Sequence, residues 1–266
     1  MGQNANALSV VRQYLSSAVG DLIMGTFDSG STTTGVHTLL RKANDYYNNG
    51  HYRCYIFAGT GIGYEREVSD WDLTTHTLTF DPAFAATIDA TSRYELHHIF
   101  TEDEYRRAIN MTIQSIAGKY LIDKIDASVT LIEDIYEYDL PDGFSYIHRI
   151  ITEDEADSGE FNVADDIDPR DWELISPRKL KLHDSRYSIT AGLDLRIEGQ
   201  GNQDTAGNDA DVIELPLDWL VQKAITFLPK DKIQSSKLDS TYQQALLLSA
   251  NSPKNWPNPH GHRVVE

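Results

Sequence analysis

The sequence predicts an α+β protein in which long amphipathic helices pack with antiparallel β-sheets. Two observations lead to this prediction. Apolar residues recur every three or four positions near the N-terminus, after residue 100 and after Pro216, which is typical of helices. Between these stretches apolar and polar residues alternate, as in strands, and clusters of Gly, Pro, Asn and Asp separate the alternating runs. The chain has 266 residues, which is enough to bury a sizeable core.

The first 50 residues are predicted to be a helical region. The apolar face of its first helix, expected over residues 7–24, is formed by Leu8, Val11, Leu15, Val19 and Leu22. A turn-rich loop follows from Gly25 to Ser31. A second helical piece is expected over residues 37–47, because Asn48-Asn49-Gly50 is a strong stop signal.

Residues 51–98 are predicted to form a small β-domain, a meander or barrel inserted between helices. Its four strands are expected at residues 52–57, 64–69, 77–80 and 93–98. The only cysteine, Cys54, lies in the first of these strands and is predicted to be a buried structural thiol. Gly59-Thr60-Gly61-Ile62-Gly63 superficially resembles a nucleotide-binding loop. A dinucleotide site needs a helix after the glycines, whereas the next residues alternate, so we predict a hairpin turn.

Residues 99–127 are predicted to be the central helix. Thr101 as N-cap and Glu104 three residues later have the spacing of a capping box, and the apolar face continues to about Lys124. A β-rich domain is expected over residues 128–215. Its strands are predicted at residues 128–137, 145–152, 171–175, 179–182, 187–190 and 193–198.

Residues 216–250 are predicted to be C-terminal helices. Pro216 suits the first position of a helix that runs to about Phe227, and a second helix is expected over residues 236–250. Residues 251–266 contain three prolines and are predicted to be an extended arm, mobile until a partner holds it. Its expected protein-binding residues are Asn255, Trp256, Pro257, Val264 and Val265. The alternative for the tryptophan is packing on its own domain.

The composition argues against binding of nucleic acid. Asp and Glu total 41 and Lys and Arg total 23, a formal net charge of −18, and no dense basic cluster interrupts this excess. Such a surface suits DNA that slides past without sticking, because like charges repel. An ordinary soluble acidic protein is the alternative. We expect no secretion signal and no membrane contact, since no apolar run approaches about 18 residues.

Clustered acidic side chains and a pair of histidines are the candidates for a site of chemistry. Ten acids and one arginine lie between Glu153 and Glu173, but not in the order of a calcium loop, which predicts a solvated loop or, alternatively, an acidic channel lining. His97-His98 lies near Glu95 and Glu102, yet neighbours on a strand point to opposite faces, which disfavours a shared metal site. We predict no catalytic residue, no metal and no cofactor, and hence no enzyme.

The order of segments resembles neck proteins of tailed phages, of the head-to-tail adaptor type. The segments that carry this resemblance are Tyr46-Tyr47-Asn48-Asn49-Gly50, Ile56-Phe57-Ala58-Gly59-Thr60-Gly61, Glu65-Arg66-Glu67-Val68-Ser69-Asp70-Trp71, Thr77-Leu78-Thr79-Phe80-Asp81-Pro82, Ser92-Arg93-Tyr94-Glu95-Leu96, Ala108-Ile109-Asn110, Tyr138-Asp139-Leu140-Pro141, Ile147-His148-Arg149-Ile150, Trp172-Glu173-Leu174, Leu193-Asp194-Leu195-Arg196-Ile197-Glu198-Gly199 and the helix after Leu215-Pro216. The resemblance implies a virion protein that forms a homo-oligomeric ring, commonly of twelve copies. The ring would join the portal protein to the tail, with double-stranded DNA passing through it and terminal segments reaching into the portal.

Three alternatives remain open at this point. A tail terminator or tail-tube component would suit the many β segments. A carbohydrate-binding tail protein would use the 14 tyrosines and 4 tryptophans as sugar platforms. A soluble protein with a ligand pocket in a β-barrel would behave as a strict monomer.

Overall fold

The chain begins with a mixture of short strands and helices. The computed structural model describes residues 5–176, 178–255 and 262–263. Up to Ser115 the elements are β1 (Asn6–Ala7), α1 (Leu8–Ala18), β2 (Ile23–Thr26), β3 (Ser29–Gly30), β4 (Thr34–Val36), α2 (Tyr46–Asn49), β5 (Arg53–Ala58), β6 (Glu65–Asp72), β7 (Thr77–Asp81), β8 (Arg93–His97) and α3 (Glu102–Ser115).

The middle of the chain is built from strands, and helices return near the C-terminus. The middle strands are β9 (Ile122–Thr130), β10 (Glu137–Asp139), β11 (Phe144–Thr152), β12 (Trp172–Ser176), β13 (Lys179–Leu182) and β14 (Asp194–Gly201). The last elements are β15 (Val212–Ile213), α4 (Leu217–Ile225), α5 (Lys230–Ser235), α6 (Asp239–Leu248) and β16 (His262–Arg263). The chain is therefore an α+β protein, as predicted. It is richer in sheet than expected, since α3, with 14 residues, is the longest helix among the described residues.

The chain divides into two units. Unit 1 contains the residues up to Ser115 and Thr205–Ser252, and unit 2 contains Ile116–Asp204 and the residues from Pro253 onward. Unit 1 carries 19 acidic and 12 basic side chains, whereas the smaller unit 2 carries 22 and 11. The acidic excess that the composition showed is thus concentrated in unit 2.

Unit 1 is organised around an antiparallel sheet of seven strands, in the order β2-β8-β5-β6-β7-β4-β3. Its central strands β5 to β8 confirm the four strands predicted from the alternating pattern. Trp71, Ile56, Leu78 and Tyr94 are fully buried in its core. Cys54 is buried among them, as predicted.

The glycine-rich segment after β5 is a turn, as predicted. It joins the antiparallel strands β5 and β6, and Gly59, Gly61 and Gly63 all have positive φ angles. At Gly59 a Cβ atom would lie 2.0 Å from the main-chain oxygen of Thr91, so a side chain has no room there. The glycines therefore serve backbone geometry, and no helix follows them.

The N-terminal region departs from the prediction. Helix α1 ends at Ala18, and Gly20 follows with a φ of +73°. Residues Ile23–Thr26 form β2 and pair with β8. The sequence pattern did not predict this strand, because the run Leu22-Ile23-Met24 fits a helical period and a strand period equally well. The prediction of a helix over residues 37–47 was also wrong. Only the four-residue α2 forms there, so the first 50 residues are not mainly helical.

Helix α3 begins as predicted and ends early. The main-chain N–H of Glu104 donates to Thr101 Oγ1 at 3.2 Å, and the N–H of Thr101 donates to Glu104 Oε2 at 2.9 Å, which is the capping box. The predicted extension to Lys124 was wrong. Gly118 has a φ of +74° and interrupts the chain, after which residues from Ile122 alternate and form β9.

Unit 2 contains a four-stranded sheet in the order β16-β11-β14-β9 and a three-stranded sheet in the order β10-β13-β12. Strands β11 to β14 confirm four of the predicted strands. The strand expected over residues 128–137 begins earlier and ends at Thr130. The strand expected over residues 187–190 does not form. The alternation of apolar residues in this segment arises because Tyr187 and Ile189 both pack against the core of unit 2. The segment itself does not pair with another strand.

The C-terminal helices largely follow the prediction. Helix α4 begins directly after Pro216 and ends at Ile225, two residues before the expected end. Helix α6 is shorter than the helix predicted over residues 236–250. Helix α5 was missed, because its six residues are too short to show a helical period.

Candidate protein interface

The C-terminal tail contacts the rest of its own chain at both points that the structure describes. Asn255 Nδ2 donates a hydrogen bond to the main-chain oxygen of Leu121 at 2.6 Å. The main-chain N–H of Asn255 donates to the main-chain oxygen of Lys119 at 3.4 Å. Further on, β16 pairs with Tyr146 and Ile147 of β11. The sequence did not indicate these attachments. The other predicted protein-binding residues lie outside the described residues: Trp256, Pro257, Val264 and Val265.

Helix α6 presents its large apolar side chains to solvent. Leu247 is 78% exposed and Leu248 is 56% exposed, and Leu246 is also exposed. The buried residue of the helix is the small Ala245, and Ser249, directly after the helix, is buried as well. This order is the reverse of an ordinary surface helix, which buries its large apolar side chains. We give the name outer leucine surface to the exposed side chains of Leu246, Leu247 and Leu248, which point in successive directions around α6, and to the 56%-exposed Tyr14 of α1, which lines the same groove as Leu248.

A groove adjoins the outer leucine surface. It has a volume of about 660 Å³ and lies among residues of α1, α4 and the end of α6. Tyr14 and Leu248 line it together with Trp219. Trp219 Nε1 donates to the main-chain oxygen of Ser249 at 3.3 Å, which holds α6 on α4. Apolar side chains beside a concave surface with a large aromatic ring are the usual components of a protein interface.

A buried ionic network fixes helix α1, which carries one wall of the groove. The Arg12 side chain is fully buried, and its Nε donates to Glu95 Oε2 at 2.8 Å. Its Nη1 donates to Asp209 Oδ1 at 2.5 Å and faces Glu102 Oε1 at 3.4 Å. The guanidinium also lies 4.4 Å from the ring centre of Tyr55. A planar guanidinium with several carboxylate partners allows little movement of α1.

The segment before α4 is tied into the same network. Tyr55 Oη donates to Asp209 Oδ2 at 2.8 Å, and the N–H of Ser9 donates to the main-chain oxygen of Asp209 at 3.2 Å. Strand β1 pairs with β15 just beyond. Asn110 adds a pair of hydrogen bonds to Ala206, each of 2.9 Å. Elements that are distant in sequence therefore become one rigid support.

The predicted histidine pair is used structurally. His97 Nε2 lies 3.1 Å from Glu95 Oε2, and its Nδ1 lies 2.8 Å from the main-chain oxygen of Asp21. His98 Nδ1 lies 2.7 Å from Asp21 Oδ1. Within the described ranges of the chain, no group of three His, Cys, Asp or Glu residues is placed to hold a metal ion.

The Asp21 carboxylate is a buried anchor that the sequence analysis missed. It accepts hydrogen bonds from three consecutive main-chain N–H groups, those of His98, Ile99 and Phe100, at 2.7 to 3.0 Å. It also accepts one from Tyr105 Oη at 2.8 Å. This carboxylate joins the end of α1 to the end of β8 and the start of α3.

The network has a defined electrostatic balance. Burial by itself would raise the pKa of Glu95, but the hydrogen bond from His97 and the charge of Arg12 lower it to about 2. Burial would lower the pKa of His97, but Glu95 and Asp21 outweigh it and raise that pKa. The two partners thus stabilise each other in their charged forms.

The stability of unit 1 is therefore expected to fall in acid. The pKa of Glu95 is lower in the folded chain than in the unfolded chain, so its contribution is complete above about pH 5 and is lost as the pH falls towards 2. His97 stays protonated over this interval. In denaturant titrations, the difference in unfolding free energy between the wild type and Glu95→Gln should shrink steadily from pH 5 to pH 3. A difference that stays constant over this range would contradict the assignment.

The acidic segment of unit 2 is a loop, as predicted. Glu153 is its buried anchor and accepts hydrogen bonds from the N–H of Gly159 at 2.5 Å, from Ser158 Oγ at 2.9 Å and from the N–H of Asp194 at 3.0 Å. Glu155, Asp157 and Glu160 are exposed. The loop thus has a fixed base and a solvated acidic rim.

No protein-family model matches the chain, and a search of curated proteins returned no significant match. Among the described residues, every helix is too short or too polar to cross a membrane.

Proposed function

We propose that this chain is a structural protein of a tailed phage, a head-to-tail adaptor. Copies of it would form a ring in the neck of the virion, between the portal protein and the tail. In this role the chain is not an enzyme and uses neither catalytic residues nor a cofactor. Its chemistry would consist of contacts with other proteins, beginning with further copies of itself.

The outer leucine surface is the observation that carries the proposal. A monomeric chain gains nothing from three consecutive exposed leucines on a helix whose buried residue is an alanine. A subunit of a closed assembly does gain, because its neighbour removes that surface from water. The ionic network beneath α1 supports the same conclusion, since a ring closes only when each subunit holds its contact surface at a fixed angle.

The charge of the chain suits the proposed passage of DNA. Acidic side chains outnumber basic ones in both units, and unit 2 has twice as many acidic as basic side chains. Phosphates are repelled by such surfaces, so DNA would pass a ring of this composition without specific binding.

A tail terminator or tail-tube component is the second candidate. The sheet-rich architecture favours it, because the described helices are short and most elements are strands. Both candidates require self-assembly through an apolar surface. They differ in their partners, so copurification with the portal protein supports the adaptor, and copurification with tail-tube protein supports the terminator.

Replacement of Leu247 by serine tests the role of the outer leucine surface. Because the side chain is exposed in the single chain, Leu247→Ser should change the free energy of unfolding by no more than about 0.5 kcal/mol. It should weaken each subunit contact by roughly tenfold or more, which light scattering after gel filtration would detect as dissociation.

Leu39→Ser is the matched control. Leu39 is 74% exposed, close to the 78% of Leu247, and it lies outside the outer leucine surface. This variant should assemble like the wild type. Equal assembly of both variants would show that the outer leucine surface is not the subunit contact.

A further inference from the structure

Strand β9 lies at one edge of the four-stranded sheet of unit 2. In the part of the chain that the structure describes, β14 is its only neighbour in that sheet. The strand is nine residues long, and Ile125 near its centre is 62% exposed. A strand edge presents main-chain N–H and C=O groups to other chains. A further strand could therefore join the sheet at β9.

The hydrogen bonds of β14 show which residues of β9 point towards the open edge. The main-chain oxygen of Asp194 accepts from the N–H of Glu153 at 2.9 Å, so Asp194 faces the β11 side of β14. Main-chain groups alternate along a strand, so Ile197, three residues on, faces β9, where Asp126 lies opposite it. Asp126 therefore faces β14, and Ile125 presents its N–H and C=O to the open edge.

The segment just before β9 is already covered by the chain itself. The main-chain oxygens of Lys119 and Leu121 accept the two hydrogen bonds from Asn255. These two residues and Ile125 are separated by even numbers of positions, so all of them face the same side. Among the described residues, the open part of this edge therefore begins at Asp123.

We propose that the open edge of β9 pairs antiparallel with the same edge of a second copy of this chain, with Ile125 opposite its counterpart. A two-fold pairing of identical strands places one residue opposite itself. Centring on Asp123, Lys124 or Asp126 would set like charges opposite each other, which is unfavourable. Centring on Ile125 brings two exposed apolar side chains together and sets Lys124 opposite Asp126 on both sides. The central pair can also exchange two main-chain hydrogen bonds.

The two charged residues are able to make this contact. Lys124 Nζ donates to Asp204 Oδ2 at 2.7 Å, but the Asp204 side chain is 78% exposed, so this ion pair contributes little and can be exchanged. Asp126 Oδ1 accepts hydrogen bonds from Ser128 Oγ and from the Ser128 N–H, which leaves Oδ2 for the ammonium of the second copy. The pairing goes beyond the proposed function and does not require a ring, because it uses no residue of the outer leucine surface.

The single-cysteine variant Ile125→Cys tests the pairing. Opposite Cα atoms in a hydrogen-bonded pair lie about 5.5 Å apart, within the range of a disulfide. The only native cysteine, Cys54, is buried and should not interfere. Ile132→Cys is the matched control, because Ile132 is 54% exposed and lies beyond the end of β9.

After oxidation in glutathione buffer, Ile125→Cys should give at least about five times as much disulfide-linked dimer as Ile132→Cys on a non-reducing gel. Equal yields would overturn the pairing. Adding Leu247→Ser to Ile125→Cys should leave the yield unchanged. A dimer that disappears with Leu247→Ser would show that the cross-link depends on the outer leucine surface, and would overturn an independent β9 contact.

Exchanged charges test the register. One population carries Ile125→Cys with Lys124→Asp, and the other carries Ile125→Cys with Asp126→Lys. Pairing within either population sets like charges opposite each other, whereas a mixed pair has opposite charges at both positions. In intact-mass measurements after mixing and oxidation, the mixed dimer should exceed the two other dimers together by about fivefold. A ratio near one, with both variants folded by circular dichroism, would overturn the register.

Discussion

Replacing Arg12 with methionine is expected to lower the free energy of unfolding by about 3–5 kcal/mol, because the change leaves buried carboxylates without their cation. Both side chains of the Arg12–Glu95 pair are fully buried, so water cannot take the place of the guanidinium. The chain should also lose the hydrogen bond that holds Asp209, and with it part of the support beneath the groove. Urea denaturation followed by tryptophan fluorescence would measure the loss.

Two further variants make this prediction specific. Arg107 is 75% exposed and pairs with Asp103 at 2.6 Å. Arg107→Met should therefore lower the free energy of unfolding by less than about 1 kcal/mol. Combining Arg12→Met with Glu95→Leu should cost less than the sum of the two single changes, because the second removes the uncompensated charge. If Arg12→Met is no worse than Arg107→Met, the network does not stabilise unit 1.

Asp21→Asn is expected to lower the free energy of unfolding by a similar amount, about 3–5 kcal/mol. The carboxylate accepts hydrogen bonds from three main-chain N–H groups and from Tyr105, and an amide has only one oxygen for these donors. Its NH₂ group would face other donors. The contact with His98 Nδ1 would also lose its carboxylate partner.

The control for this change is Asp70→Asn. Asp70 is exposed on β6, so the same substitution there should change the free energy of unfolding by no more than about 0.5 kcal/mol. Thermal unfolding of both variants beside the wild type would give the comparison. Equal melting temperatures for Asp21→Asn and the wild type would show that the anchor is dispensable.

The parts of the fold that the sequence predicted are those fixed by local patterns. Strands β5 to β8 follow from alternation, and the start of α3 follows from the three-residue spacing of Thr101 and Glu104. Strand β2 was missed because its apolar run satisfies both periods. Strands β3 and β4 were missed because two or three residues cannot show a period at all.

The candidate site depended on contacts that no local pattern contains. Arg12 meets Glu95 and Asp209, which are 83 and 197 residues away in the sequence. Its place within an apolar helical face gave no sign of a buried cation. The three leucines of α6 were included in a predicted helix, but the sequence did not reveal that Ala245 faces inward and Leu247 outward. The packing of α6 against α4 determines which of these side chains is buried.

Native mass spectrometry of the purified wild-type chain, diluted over a hundredfold range of concentration, tests the central claim most directly. A ring subunit should give one closed stoichiometry that persists on dilution, and negative-stain images of the same sample should show rings with a central opening. A monomer at the highest concentration, or open filaments of indefinite length, would contradict the proposal that these chains close around a passage.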